Sequence, residues 1–279
     1  MAYHMFSIAP AGPDLRYIPN VEYAKYGDIS RSLQMIVPWW SERKLPLIVY
    51  LPGSAFYEQD MQSSVPGCCA LARRGFAVAM LQYRGSQIAK FPAQVQDVHN
   101  ALIFLKAHAE EYFIDFDRVF LMGHSSGGYN ALMAALTAGL PEFDGGASHT
   151  IRGVIPVSAP CCLKFEMGMT VPGKISYNPD DYRPELDMLG LARFEDDPQL
   201  CHRARPDTYI SRCDTPVLLI HGNRDQTVYM ENSRDFYGAM TAAGKTAEFY
   251  EINSQDHGGP WLFDEKILDI VTGFIGELL

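Results

Sequence analysis

Six residues, Gly123-His124-Ser125-Ser126-Gly127-Gly128, are all that separate the apolar run Val119-Phe120-Leu121-Met122 from the helix-forming stretch Tyr129 to Leu136. So short a join between strand and helix must turn sharply, bringing two backbones together and straining the residue at its apex. The glycines two positions either side of Ser125 answer that need, because a side chain there would clash. Ser125 then projects at a helix N-terminus, where unpaired N–H groups and the positive dipole end favour negative charge. The Ser126 N–H falls where an oxyanion could accept from it. A Gly-Ser loop that merely opens a helix would spell the same letters, so the rest of the chain has to decide.

Elsewhere, short β-branched runs alternate with stretches of helical period, which predicts an α/β fold built of βαβ units around a mainly parallel sheet. The strands expected are Leu47–Leu51, Phe76–Leu81, Val119–Met122, Val154–Val157, Val217–Ile220 and Glu248–Ile252, with Ser32–Val37 as an alternating edge strand. Val95, Val98, Leu102 and Leu105 give one apolar helix face after Pro92, and Ile267, Ile270, Val271, Phe274 and Leu278 give another at the C-terminus. A length of 279 residues with 47% apolar content suits one domain over 1–279. Cys161 to Arg205 breaks the alternation, being rich in Pro, Gly, Asp and Arg. It is too long for an ordinary connection and reads as a lid or cap near the site.

The net charge of −10, without a basic stripe, argues against a nucleic-acid partner or an anionic membrane surface. The start, Met1 to Ser7, lacks both a basic leader and a sustained apolar core, so a cytoplasmic protein is expected. The 6 cysteines match no zinc spacing and read as reduced thiols; no metal is expected. The sequence leaves oligomeric state open.

A serine hydroxyl is a poor nucleophile unless a histidine takes its proton, and that histidine needs an orienting carboxylate. After the Val217 strand comes His221-Gly222-Asn223-Arg224-Asp225, which puts Asp225 in a loop at a strand's C-terminal end, where open α/β sheets gather their sites. After the Phe249 strand comes Gln255-Asp256-His257-Gly258. The order Ser125, Asp225, His257 therefore assigns nucleophile, acid and base. Asp256 stays a rival acid by adjacency. His221, ending its strand, is placed to brace the Asp225 loop by hydrogen bonding, and His124 fills the variable position of the turn. The oxyanion donors expected are the Ser126 N–H and that of Ser54 or Ala55, in the small-residue loop after the Leu47 strand. Phe56, Tyr57, Tyr129 and Trp261 are the substrate-binding candidates.

With these residues the chain resembles the α/β-hydrolase fold, more narrowly its carboxylesterase-like branch of hormone-sensitive-lipase-type and bacterial feruloyl or acetyl esterases. The carriers are Gly123 to Gly128, the loop His221 to Val228, His257-Gly258, and Tyr83-Arg84 with Phe91-Pro92-Ala93-Gln94 and Asp97. That family's early loop usually reads His-Gly-Gly; here Pro52-Gly53-Ser54-Ala55-Phe56 stands in its place. The resemblance implies helices on both faces of the sheet, a lid-like insertion after the sixth strand, no cofactor, and a serine esterase acting through an acyl-enzyme on small or aromatic acyl esters. An amidase, arylformamidase or peptidase-like hydrolase is the alternative, and a catalytically silent binding protein a further one.

Overall fold

The computed structural model describes residues 5, 14–39, 41, 43–147, 150–163 and 183–279. Of the sequence expectations, residues 164–182 of the 161–205 segment, and Met1 to Ser7 apart from Met5, lie outside them.

Among the described residues, eight strands form one sheet in the order β1-β2-β4-β3-β5-β6-β7-β8. They are β1 (Leu15–Tyr26), β2 (Ile29–Pro38), β3 (Leu45–Leu51), β4 (Ala77–Leu81), β5 (Ile114–His124), β6 (Gly153–Val157), β7 (Val217–Gly222) and β8 (Ala247–Ile252). Strands β3 to β8 run parallel, while β1 and β2 form an antiparallel hairpin at one edge. Its loop is Gly27-Asp28, where Gly27 takes a φ of 62° that a side chain would disfavour.

The Ser32–Val37 expectation needs correcting. That segment belongs to β2 and is not an edge strand, since β1 covers it on one side and β4 on the other. Enclosure explains why Leu33 to Val37 are all buried. Successive residues of the central strands serve opposite faces: Val119 and Leu121 join one apolar cluster, Phe120 and Met122 the other. The first cluster packs under α2 (Ala93–Ala107), α3 (Ser126–Thr137), the short α4 (Pro141–Asp144) and α7 (Glu231–Ala242); the second packs under α1 (Val65–Arg73) and α8 (Glu265–Glu277). With both faces covered, β3, β4, β6 and β7 are buried at every residue, whereas the edge strand β8 carries Glu248 and Glu251 and is only partly buried.

The described end of the 161–205 segment holds α5 (Arg183–Leu189) and α6 (Pro198–Arg203). Leu186, Met188, Leu189, Phe194, Cys201 and Ala204 all enter the first apolar cluster. Arg84 and Asp97, carriers of the family resemblance, form a buried ion pair at 2.8 Å under the Tyr26 ring. That pair fastens α2 to the loop after β4 and reaches no reacting group.

Candidate active site

The turn from β5 into α3 carries the strain its sequence implies. Ser125 has φ 54° and ψ −126°, conformations few L residues adopt. Two backbone bonds hold it there: the Ser125 N–H donates to Val157 O at 2.9 Å, and the Tyr129 N–H to Ser125 O at 3.0 Å. A Cβ on Gly123 would lie 2.5 Å from the Gly127 carbonyl, and one on Gly127 2.1 Å from Leu51 O. Neither position admits a side chain.

Two loops meet Ser125 from strands beyond β6. The one after β7 is stitched to the one after β8 by the Asn223 N–H on Ile252 O at 3.0 Å and the Arg224 N–H on Gln255 O at 2.9 Å. This stitching brings together the three residues assigned from sequence. His257 Nε2 lies 2.9 Å from Ser125 Oγ, and His257 Nδ1 lies 2.7 Å from Asp225 Oδ2. Asp256 is exposed, in the loop before His257. Asp225 Oδ1 accepts the Thr227 and Val228 amides, both at 2.9 Å. Burial alone would raise the Asp225 pKa, but bonds from His221 and His257, the His257 charge and the Val228 amide outweigh it and hold the carboxyl well below the usual range.

Two further histidines touch this line. His221 is buried, and its Nε2 meets both Val228 O in the loop and Asp225 Oδ2 itself. His124, across 133 residues of sequence, puts Nε2 2.6 Å from the His257 carbonyl. A carbonyl only accepts, so Nε2 is assigned the proton. Burial pushes the His124 imidazole down to about 4, keeping it neutral at neutral pH. Nothing in the local sequence pairs residues 124 and 257; only the fold does.

The Ser126 N–H opens α3 beside Ser125, but the two amides offered for the second oxyanion donor are not equivalent. The Ser54 N–H is spent on Ser126 Oγ at 3.0 Å, whereas Ala55 is exposed and its amide makes no hydrogen bond among the described residues. Ala55 takes φ 50° and Phe56 φ 65°, so the loop turns tightly at that point.

The aromatic candidates separate by burial. Phe56 and Tyr129 stack edge to face at 5.3 Å inside the first apolar cluster, and the Tyr129 hydroxyl donates to Ala204 O at 2.7 Å. Their assignment as substrate contacts is corrected to packing that backs the site, because their exposed area is 2% and 0%. Tyr57 is half-buried and its hydroxyl donates to Asp187 Oδ2 at 2.7 Å, tying the Ser54–Tyr57 loop to α5. Trp261 is half-buried on the His257 side, its Nε1 enclosed without a partner. Among the described residues, no group of three or more His, Cys, Asp or Glu converges as metal ligands. None of their helices is long and apolar enough to cross a membrane.

Glu185, unmarked by any sequence signal, lies on α5 one turn before Met188 and Leu189; the residue is partly buried, and its Oε2 is enclosed without a hydrogen-bond partner among the described residues. Burial raises its carboxyl to about 7. An acid whose folded pKa exceeds its unfolded value loses stability as pH rises between the two, here from about 4.5 to about 7. Glu185→Gln should therefore raise the melting temperature at pH 8, by up to about 3 kcal/mol of stability, and leave it unchanged near pH 4. Equal effects at both pH values, by calorimetry, would count against a charge buried there.

Comparison with known proteins adds a family. The BD-FAE family model matches residues 33–240. Esterase LipQ of Mycobacterium tuberculosis is 23% identical over 282 residues, 96% of this chain and 64% of LipQ. The chain spans 53% of the length of a second such relative, esterase LipC of the same organism. Among solved structures, a truncated carbohydrate esterase from gut microbiota superposes with TM-score 0.83 at 24% identity, covering 97% of this chain and 98% of that one. Esterase B from Lactobacillus rhamnosis gives 0.80 at 20% identity, covering 95% and 87%. The last two likenesses establish the α/β-hydrolase fold.

Proposed function

This chain belongs to the BD-FAE family, and we propose that it is a carboxylic ester hydrolase with Ser125 as nucleophile. The observation that carries the reading is the unbroken line from Ser125 Oγ through His257 to Asp225, at 2.9 and 2.7 Å. In the proposed reaction His257 Nε2 takes the hydroxyl proton as Ser125 Oγ attacks the ester carbonyl. Asp225 holds the Nδ1–H tautomer and stabilises the imidazolium that forms. The Ser126 and Ala55 amides receive the oxyanion, with Ala55 favoured over Ser54 because its N–H is uncommitted. His257 then protonates the leaving alcohol, and water repeats the two steps on the acyl-enzyme.

Ester is favoured over amide because LipQ and LipC are named esterases. A cytoplasmic setting is part of the same reading, supported by six cysteines that form no disulfide. The test combines a fluorophosphonate probe with a panel of acetyl, butyryl, octanoyl and feruloyl esters and one formanilide. The expected result is a single adduct on Ser125 and ester turnover above that of the formanilide. An unlabelled protein would refute the nucleophile, and a preferred formanilide would move the activity to amides.

A further inference from the structure

His221, the penultimate residue of β7, has no exposed surface. Its Nε2 lies 2.7 Å from Val228 O and 3.1 Å from Asp225 Oδ2, and its Nδ1 lies 2.7 Å from Ser233 Oγ. Both Nε2 partners can only accept once Asp225 is ionised, so Nε2 bears a proton shared between them. In the neutral ring Nδ1 is then an acceptor, and the Ser233 hydroxyl, on the first turn of α7, donates to it.

Four donors thus converge on Asp225, and they divide in a telling way. The two amides on Oδ1 come from the carboxylate's own turn, so they fix one oxygen and travel with the loop. Oδ2 must face His257 Nδ1, and the other donor to it is His221, anchored on the rigid end of a parallel strand. Its second bond, to Val228 O, closes the 225–228 turn against that same strand. Resting on the proposed function, we infer that His221 is a positioning residue for the reaction. It acts through Asp225 by holding Oδ2 where it can receive the His257 Nδ1–H, with Ser233 setting the His221 tautomer. A buried histidine that merely filled space would need no hydrogen bond to the carboxylate.

The test is a double-mutant cycle on the full chain, because a residue acting through Asp225 loses its effect once Asp225 cannot orient His257. His221→Phe should lower kcat by roughly tenfold to a hundredfold with KM within about twofold, since positioning is felt in the transition state. His221→Gln, whose amide can donate from about the Nε2 position, should keep kcat within about threefold of wild type. In an Asp225→Asn background, His221→Phe should cost less than about twofold more. Ser233→Ala, a smaller change that serves if His221→Phe does not fold, should cost severalfold alone and nothing further in that background.

Additive losses across the cycle, or a His221→Gln variant as slow as His221→Phe, would overturn the inference. Failure of the underlying reading has a different signature, since Ser125→Ala would then turn esters over as wild type does. Loss at Ser125→Ala with additive His221 and Asp225 losses would refute His221 alone.

Discussion

Ser125→Ala should abolish ester turnover, by at least about a thousandfold in kcat, while leaving the fold and its melting temperature close to wild type. The separation of the two effects follows from what holds the turn. Ser125 keeps its φ of 54° through backbone bonds to Val157 and Tyr129 and through the close approach of Gly123 to Gly127. None of these uses Oγ. Alanine retains the Cβ, and the one partner that Oγ has, His257 Nε2, faces a half-exposed site where water can replace it. The residual rate should reflect the oxyanion amides and bound substrate alone. Steady-state rates on a small acetyl ester, with circular dichroism as the folding control, decide it. Near-normal turnover in a folded variant would remove Ser125 from the chemistry.

What the sequence could reveal tracks how local the determining physics is. Strands β3 to β7 are legible because a parallel sheet covered on both faces writes itself as apolar runs, and β8 is legible by its aromatic pair Phe249-Tyr250 although Glu248 and Glu251 flank it. At the open edge that signature fails. Half of the β1 sequence, Leu15–Tyr26, is exposed and only Tyr23 is buried, and Pro19 interrupts it beside Asn20 at φ 55°, where its register shifts. Such a segment reads as loop, and without a legible β1 the sequence presents β2 as the edge. Helix α7 was missed for a related reason: it buries Asn232 and Ser233 beside Phe236 and Met240, so its inner face is not cleanly apolar.

The same distinction governs the site. Ser125, Asp225 and His257 each follow a readable strand, so their order is visible although their distances are not. Which amide stays uncommitted, Ser54 or Ala55, depends on Ser126 Oγ, 72 residues away. The His124 bond to His257 depends on two loops meeting across the sheet. Aromatic residues beside a motif read alike as pocket wall or core, and for Phe56 and Tyr129 burial decides for core. Glu185 lies where propensity and period say nothing about a carboxyl with one enclosed, unpartnered oxygen.

Asp225→Asn should cut turnover by roughly a hundredfold to ten-thousandfold, whereas Asp256→Asn should cost less than about tenfold. The geometry gives the reason for so large a loss from a change of one atom. Oδ1 of Asp225 accepts two amides, from Thr227 and Val228, so an asparagine there must turn its carbonyl oxygen to them. Its NH2 group then occupies the Oδ2 position, facing His257 Nδ1 and the His221 Nε2–H. His257 can answer only by accepting at Nδ1, which moves its own proton to Nε2 and leaves no base toward Ser125 Oγ. Meanwhile the NH2 and the His221 N–H oppose each other as two donors. Asp256 meets none of these constraints, being exposed in the loop before His257. Its amide variant changes a solvated charge, and screening keeps that effect small. Both variants are to be measured for kcat with folding checked by melting. A folded Asp225→Asn within tenfold of wild type, beside a crippled Asp256→Asn, would transfer the orienting role to Asp256 and mean that the line of bonds through Asp225 is not the one the reaction uses.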